Sequence, residues 1–272
     1  MAGLSPEQLP QPVERVRWSV MVRDAATGQV LGAVEPDQVL RTASVGKVFL
    51  LVETARALAA GEVRADEPLA WADDEYVEDS GLWYRMASRS LLLGDLCLLV
   101  AAVSDNLATN VLVRRLGVEA VAQTAAGYGV QASGLLDRVR TERGPGMPWT
   151  LSVGCASELS DIMARLHRGE VVSAEVSRQV RTWLSANVDL AGVPDGFALD
   201  PLAHDVADGP VSLFSKTGAI SVVEADTGVL SGPAGAVAYA ALAEWEPEVS
   251  PRAAVRAEMR RLGEALVALV GR

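Results

Sequence analysis

The order of hydrophobic patterns along this 272-residue chain restricts it to a small set of folds. Between residues 42 and 183 the apolar residues mostly follow helical periods, and 251–270 predicts a closing amphipathic helix. Strand-like patterns occupy both ends, at 17–24 and 29–34 before the helical part and at 211–215, 219–223, 228–230 and 236–242 after it.

This order predicts an α/β fold with two lobes in an α+β arrangement. Strands from both chain ends form one antiparallel sheet flanked by terminal helices, and an all-helical lobe is inserted between them. The predicted lobes are 1–42 plus 200–272 and 43–199, together one structural domain. A ligand site is expected in the groove between the sheet and the helical lobe.

Composition excludes several kinds of partner. A net charge of −11 disfavours nucleic acid, and the longest apolar run, 96–103, is too short to cross a membrane. The first residues carry no basic segment followed by an apolar run, and Cys97 and Cys155 predict two buried free thiols, so a cytoplasmic protein is expected. We expect a monomer that acts on a small-molecule substrate.

Lysine usage points to function. Of the 24 basic residues only Lys47 and Lys216 are lysines, so arginine serves wherever a general surface cation is needed. Lysine differs from arginine because its pKa can be lowered enough for the amine to act as a base. Both lysines are therefore candidates for chemistry.

Ser44-Val-Gly-Lys47 begins a segment, 42–60, that is apolar around almost its whole circumference and predicts a buried helix. Residues three apart share a helix face, so the amine can reach the hydroxyl, and the helix N-terminus favours negative charge at Ser44. A desolvated Lys47 would then take the hydroxyl proton. The alternative is a helix-capping serine with an incidental lysine.

Two further segments carry similar chemistry. In Ser104-Asp-Asn106, Ser104 can relay a proton and Asn106 can offer its amide to a carbonyl, although all three residue types also favour helix capping. In Lys216-Thr-Gly218, the glycine allows a ligand close to the backbone. The amides of Ala219 and Ser44 can then form an oxyanion site. The alternative for Lys216 is an exposed strand lysine.

The three segments occur in the order S-x-x-K, S-D-N and K-T-G, which is the motif set of serine β-lactamases and penicillin-binding proteins. Residues 15–272 resemble the class A β-lactamase family in these motifs and in the spacing of sixty residues from Ser44 to Ser104. Three longer stretches are also similar to that family: 42–50, 93–110 and Leu136-Asp-Arg138.

The resemblance implies a two-lobed serine hydrolase that needs no metal or organic cofactor. It implies that Ser44 attacks the carbonyl, Lys47 takes its proton and Ser104 protonates the leaving nitrogen beside Lys216. The implied substrate contacts are Asn106, Thr217, Gly218 and Ala219.

Three departures from the family limit the implied activity. Relatives carry a water-activating glutamate two residues after Leu-Asp-Arg, where this chain has Arg140, and Glu142 is the nearest substitute. Relatives commonly carry an arginine after Lys-Thr-Gly for the substrate carboxylate. This chain has Glu224 and Asp226 there. Glu224 facing the groove would disfavour an anionic penicillin, and the alternative is that Glu224 points to solvent. Relatives usually act outside the cell membrane, whereas no export signal is seen in this sequence.

The leading interpretation is a class A β-lactamase-like hydrolase that forms a Ser44 acyl-enzyme with a β-lactam or a related activated amide or ester. One alternative is an intracellular esterase, amidase or acyl transferase of the same fold that deacylates slowly. The other is a ligand-binding relative that has lost turnover, for which Arg140 argues. The intact serines and lysines argue against it.

Overall fold

A computed structural model describes residues 1–204 and 211–271. Strands within these residues come from both ends of the chain and from the connections between helices. They are, in chain order, β1 (Val16–Asp24), β2 (Val30–Val34), β3 (Leu40–Arg41), β4 (Pro68–Ala70), β5 (Ser90–Leu92), β6 (Gly134–Leu135), β7 (Ser152–Gly154), β8 (Ser212–Ile220), β9 (Val223–Gly232) and β10 (Gly235–Trp245).

The main sheet joins the two ends of the chain. Its five strands are antiparallel in the order β2-β1-β10-β9-β8, with Ser19 opposite Leu242 and Lys216 opposite Thr227. The central strand β10 is almost entirely buried, and its alanines allow helices to pack closely on the sheet. The predicted sheet is therefore confirmed.

Helices cover the sheet and form the inserted lobe. Helix α1 is central, because it contacts four other helices and buries ten of its residues, as the apolar pattern around its circumference predicted. Helix α5 packs on β1 and β10, and α7 packs on β9 and β10. The α-helices in the described residues are α1 (Lys47–Ala59), α2 (Leu93–Val103), α3 (Asn106–Leu116), α4 (Val118–Gly127), α5 (Ala156–Arg168), α6 (Ala174–Leu184) and α7 (Arg252–Val270).

Two local predictions were wrong. The strands expected at 211–215 and 219–223 are one continuous strand, β8, that includes Lys216, followed by a turn into β9. The lysine interrupts the apolar pattern although it is fully buried, because its amine turns into the interior. The start of the helix predicted from residue 42 is instead a 3-10 turn, Ala43–Gly46.

Several other expectations concern the chain as a whole. Both cysteines are buried and free, as predicted. No helix within residues 1–204 and 211–271 is long and apolar enough to cross a membrane. The lobe boundaries at 42/43 and 199/200 stay predictions, and residues 205–210 of the second predicted segment lie outside the described residues.

Candidate active site

Ser44 lies in the 3-10 turn Ala43–Gly46, which leads directly into α1. The Ser152 hydroxyl on β7 donates to the Ala43 carbonyl and anchors this turn. Ala43 has a φ of 45°, a left-handed conformation that costs a non-glycine residue about 1–3 kcal/mol. Residues three apart eclipse each other in a 3-10 turn, so Ser44 and Lys47 leave the chain on the same side.

The Lys47 amine is fully buried one turn after Ser44. Its Nζ donates to the Ser104 carbonyl and to Asn106 Oδ1, each at 2.7 Å, and to Ser104 Oγ at 3.2 Å. Burial and the nearby charge of Lys216 hold the pKa of Lys47 well below its usual range. The sequence motifs around Ser44 and Ser104 therefore meet at this amine.

In the Ser104-Asp-Asn106 segment, one residue caps a helix and the other two contact Lys47. Asp105 is the N-cap of α3, where its carboxylate accepts from the Ala108 amide at 2.8 Å. Its other oxygen accepts from the amides of Leu82 and Trp83, which fixes the neighbouring loop. Asp105 thus provides the capping considered for all three residues. This leaves Ser104 and Asn106 to contact Lys47.

Lys216 lies fully buried in β8, so it is not an exposed strand lysine. Its Nζ donates to the Thr217 carbonyl at 2.9 Å. Burial lowers the pKa of Lys216 to about 8, against the opposing charges of Asp189 and Asp226. Two amines with lowered pKa values therefore lie close enough to influence each other, an arrangement that is common at catalytic sites.

Gly218 brings β8 against the turn that carries Ser44. A Cβ at this position would lie 2.7 Å from the Ser44 nitrogen and 2.8 Å from the Val45 nitrogen, and it would also collide with the Thr42 carbonyl. Only glycine permits this approach. It puts the amide of Ala219, the next residue of β8, near that of Ser44, the pair expected to bind an oxyanion.

The turn of Ser44 and the end of β8 border a cavity of about 400 Å³, and the two fully buried lysines do not line it. The loop 79–84 contributes Asp79 and Ser80 to its lining, whereas Trp83 is buried in the core. Trp149 is 65% exposed at the cavity and was missed, because an isolated aromatic residue in a loop carries no signal of its position. The predicted site residues that line the cavity are Ser44, Ser104, Asn106, Thr217, Gly218 and Ala219.

Arg140 lines the cavity where the family glutamate was expected. It donates to both oxygens of Asp137, at 2.7 and 3.1 Å, and Arg143 donates to the same carboxylate at 2.6 Å. Glu142, the substitute considered from the sequence, is exposed and lines a different, smaller cavity with Asn110. The expectation that Glu142 replaces the glutamate is therefore not supported by its position.

Glu224 faces neither the groove nor open solvent. It is 5% exposed, and its carboxylate accepts from Arg252 at 2.9 Å and Arg256 at 2.8 Å, both on α7. Both alternatives considered from the sequence were therefore wrong, and Glu224 does not repel an anionic substrate in the groove.

Two acids of the cavity were given no role from the sequence, Asp79 and Asp189. Asp189 accepts a hydrogen bond from Thr217 Oγ1 at 2.8 Å. Asp79 has a φ of 92° and a charge that acts on Lys47. Both lie in loops, where a single sequence does not separate an acid of the site from an ordinary surface acid.

Comparisons with known proteins agree with this geometry. The model of a family described as the β-lactamase enzyme family matches residues 11–270. A β-lactamase from Sphaerobacter thermophilus superposes with a TM-score of 0.79 at 22% identity, covering 93% of this chain and 92% of that one. PBP-A superposes with a TM-score of 0.78 at 22% identity, covering 97% and 94%.

A class A β-lactamase from Mycobacterium abscessus superposes with a TM-score of 0.74 at 17% identity, covering 93% of each chain. Likenesses at this identity show the shared fold, and the family model extends over nearly the whole chain. The chain therefore belongs to the β-lactamase enzyme family and is a serine β-lactamase-like hydrolase.

Proposed function

We propose that Ser44 is the nucleophile of this hydrolase and forms an acyl-enzyme with a β-lactam or a related activated amide or ester. The observation that carries the proposal is the meeting of two motifs, S-x-x-K and S-D-N, at one amine, because Lys47 binds both Ser104 and Asn106 one turn from Ser44. The hydroxyl lies on the wall of the cavity and is accessible to a ligand.

Lys47 acts as the general base in this proposal. Burial and the charge of Lys216 lower its pKa well below the usual range, which favours the neutral, basic form of the amine. Two N–H groups of that amine remain donated to the Ser104 carbonyl and Asn106 Oδ1, which directs the lone pair away from them. The lone pair can take the proton of Ser44 as the bond between its Oγ and the carbonyl carbon forms.

The leaving nitrogen receives its proton through Ser104. Attack by Ser44 gives a tetrahedral oxyanion, which the amides of Ser44 and Ala219 stabilise. Ser104 Oγ lies 3.2 Å from Lys47 Nζ, so the proton can pass from Lys47 to the hydroxyl and from the hydroxyl to the nitrogen as the C–N bond breaks. Asn106 Nδ2 remains to bind a substrate carbonyl, because its Oδ1 is already used by Lys47.

Deacylation is slow in this proposal. Hydrolysis of the ester needs a base that activates water, and Arg140 stands where the family glutamate was expected. A guanidinium stays protonated and cannot serve as that base. We therefore expect the acyl-enzyme to accumulate, which also keeps esterase and acyl-transfer activity open. A cytoplasmic monomer remains the predicted form of the protein.

Nitrocefin hydrolysis combined with intact-mass spectrometry tests the proposal. A p-nitrophenyl ester serves as an uncharged second probe, and Ser44→Ala is the matched control. We expect an adduct on Ser44 with at least one probe, turnover that is slow relative to acylation, and neither in Ser44→Ala. Reversible binding without an adduct from either probe would contradict the proposal and favour the binding-protein alternative.

A further inference from the structure

Asp189 is fixed at the β8 side of the cavity. Its Oδ2 accepts from Thr217 Oγ1 at 2.8 Å, and its Oδ1 accepts from the amide of Ala191 at 3.3 Å. The buried Asn187 ties the loop to β8, because its Nδ2 donates to Ser215 Oγ at 3.0 Å and to the Asp189 carbonyl at 3.1 Å. The carboxylate is therefore held in place beside the strand that carries Lys216-Thr-Gly218.

This contact decides what Thr217 can offer a ligand. A threonine hydroxyl has one proton, and here that proton is donated to Asp189. The Thr217 oxygen therefore presents lone pairs to the cavity and accepts rather than donates. A substrate carboxylate at this position would meet two acceptors in place of a donor.

The charges around this end of the cavity also disfavour a substrate carboxylate. The charges of Asp189 and Asp226 oppose the effect of burial on the pKa of Lys216, and burial raises the pKa of the Asp226 carboxyl itself. Strand β9 contains no arginine that would restore a positive charge. The arginines that line the cavity are paired elsewhere, Arg41 with Glu244 and both Arg140 and Arg143 with Asp137.

We propose that the substrate group lying against Thr217 and Asp189 is a hydrogen-bond donor, either an ammonium or a neutral N–H group, and not a carboxylate. This inference rests on the proposed Ser44 acylation and adds the substrate class to it. Acyl compounds with a cationic or neutral group on the leaving side are the preferred substrates.

A charge series of one acyl donor tests the inference. Benzylpenicillin carries a carboxylate, its methyl ester is neutral, and its dialkylaminoethyl ester is a cation with the same β-lactam ring. The second-order rate constant for formation of the Ser44 adduct is measured for each compound by intact-mass spectrometry. We expect the cation to acylate Ser44 at least tenfold faster than the anion, with a preference that shrinks as salt is added.

Asp189→Asn assigns the preference to this side chain, since asparagine keeps the shape and the acceptor for Thr217 but removes the charge. We expect the cation-to-anion ratio to fall at least fivefold in this variant. Asp66→Asn, an exposed acid that does not line the cavity, is the control and should keep the wild-type ratio. Thermal melts establish that both variants fold. Should Asp189→Asn not fold, the salt dependence of the wild-type series decides.

Three outcomes would overturn the inference, and they are distinguishable. An anion that reacts faster than the ester in the wild type contradicts the charge preference itself. An unchanged ratio in a folded Asp189→Asn contradicts the role of that residue. No adduct from any of the three compounds or from the p-nitrophenyl ester removes the proposed function, and the inference falls with it.

Discussion

Gly218→Ala tests the close approach on which the proposed oxyanion site depends. The added Cβ would lie 2.7 Å from the Ser44 nitrogen and 2.8 Å from the Val45 nitrogen, whereas ordinary contacts begin at 3.4 Å. All the atoms it meets belong to the backbone, so no side chain can turn aside. Strand β8 and the turn must therefore separate by at least 0.7 Å, the difference between 3.4 and 2.7 Å, and by more at the Thr42 carbonyl, which lies closer to the added Cβ.

The expected cost follows from that displacement. The amides of Ser44 and Ala219 move apart, and loss of one oxyanion donor costs about 10²–10³ in rate. We expect the rate constant for Ser44 acylation to fall about a hundredfold. We also expect the free energy of unfolding to fall by about 1–3 kcal/mol, as for other overpacked sites.

Time-resolved intact-mass spectrometry and denaturant unfolding measure the two effects. Gly127→Ala is the matched control, because a Cβ at that helical position meets nothing within 4 Å. It should leave acylation unchanged and stabilise the fold by about 0.5–1 kcal/mol. If Gly218→Ala keeps acylation within threefold of the wild type, the proposed pairing of the two amides is refuted.

Three further substitutions test the remaining groups. Lys47→Arg should lower acylation by about 10²–10⁴ because a guanidinium stays protonated, and acylation within fivefold of the wild type, measured by intact mass, would exclude the base role. The acylation rate should decline above pH ~8 as Lys216 loses its proton, because burial lowers its pKa from the usual 10.5 to about 8. Lys216→Arg keeps the cation and should remove that decline, so a pH profile that still declines near 8 would contradict the assignment. Arg140→Glu should release the acyl group at least tenfold faster than Arg140→Gln does, as measured by loss of the adduct mass, and equal release from both variants would argue against a missing base.

Much of the fold was readable from the sequence because it depends on local periodicity. The apolar circumference of 42–60 predicted a central helix, and strand patterns at both ends predicted one sheet. The bounds of β8 were not readable, because Ser215, Lys216 and Thr217 interrupt the apolar pattern in the middle of the strand. The burial of Lys216 depends on α6 and the Ala43–Gly46 turn, which pack against β8.

The motifs were recognisable in the sequence because only a few residue types can perform their chemistry. A chain with two lysines has few ways to supply an amine of lowered pKa, so Lys47 and Lys216 were identifiable without coordinates. Their geometry was not, since it was the contacts of Lys47 with Ser104 and Asn106 that joined two segments sixty residues apart.

The sequence by itself therefore predicted the fold from its periodicity, and the order of its three motifs, which resembles that of the class A β-lactamase family, predicted the nucleophile and its base. The tertiary structure alone decided which charges reach the ligand. Glu224 is held by arginines of α7, while Asp189 is held at Thr217 by a distant loop. The residue that pairs with a charged side chain comes from a segment remote in sequence. Tertiary packing therefore decides whether that charge is neutralised or faces the cavity.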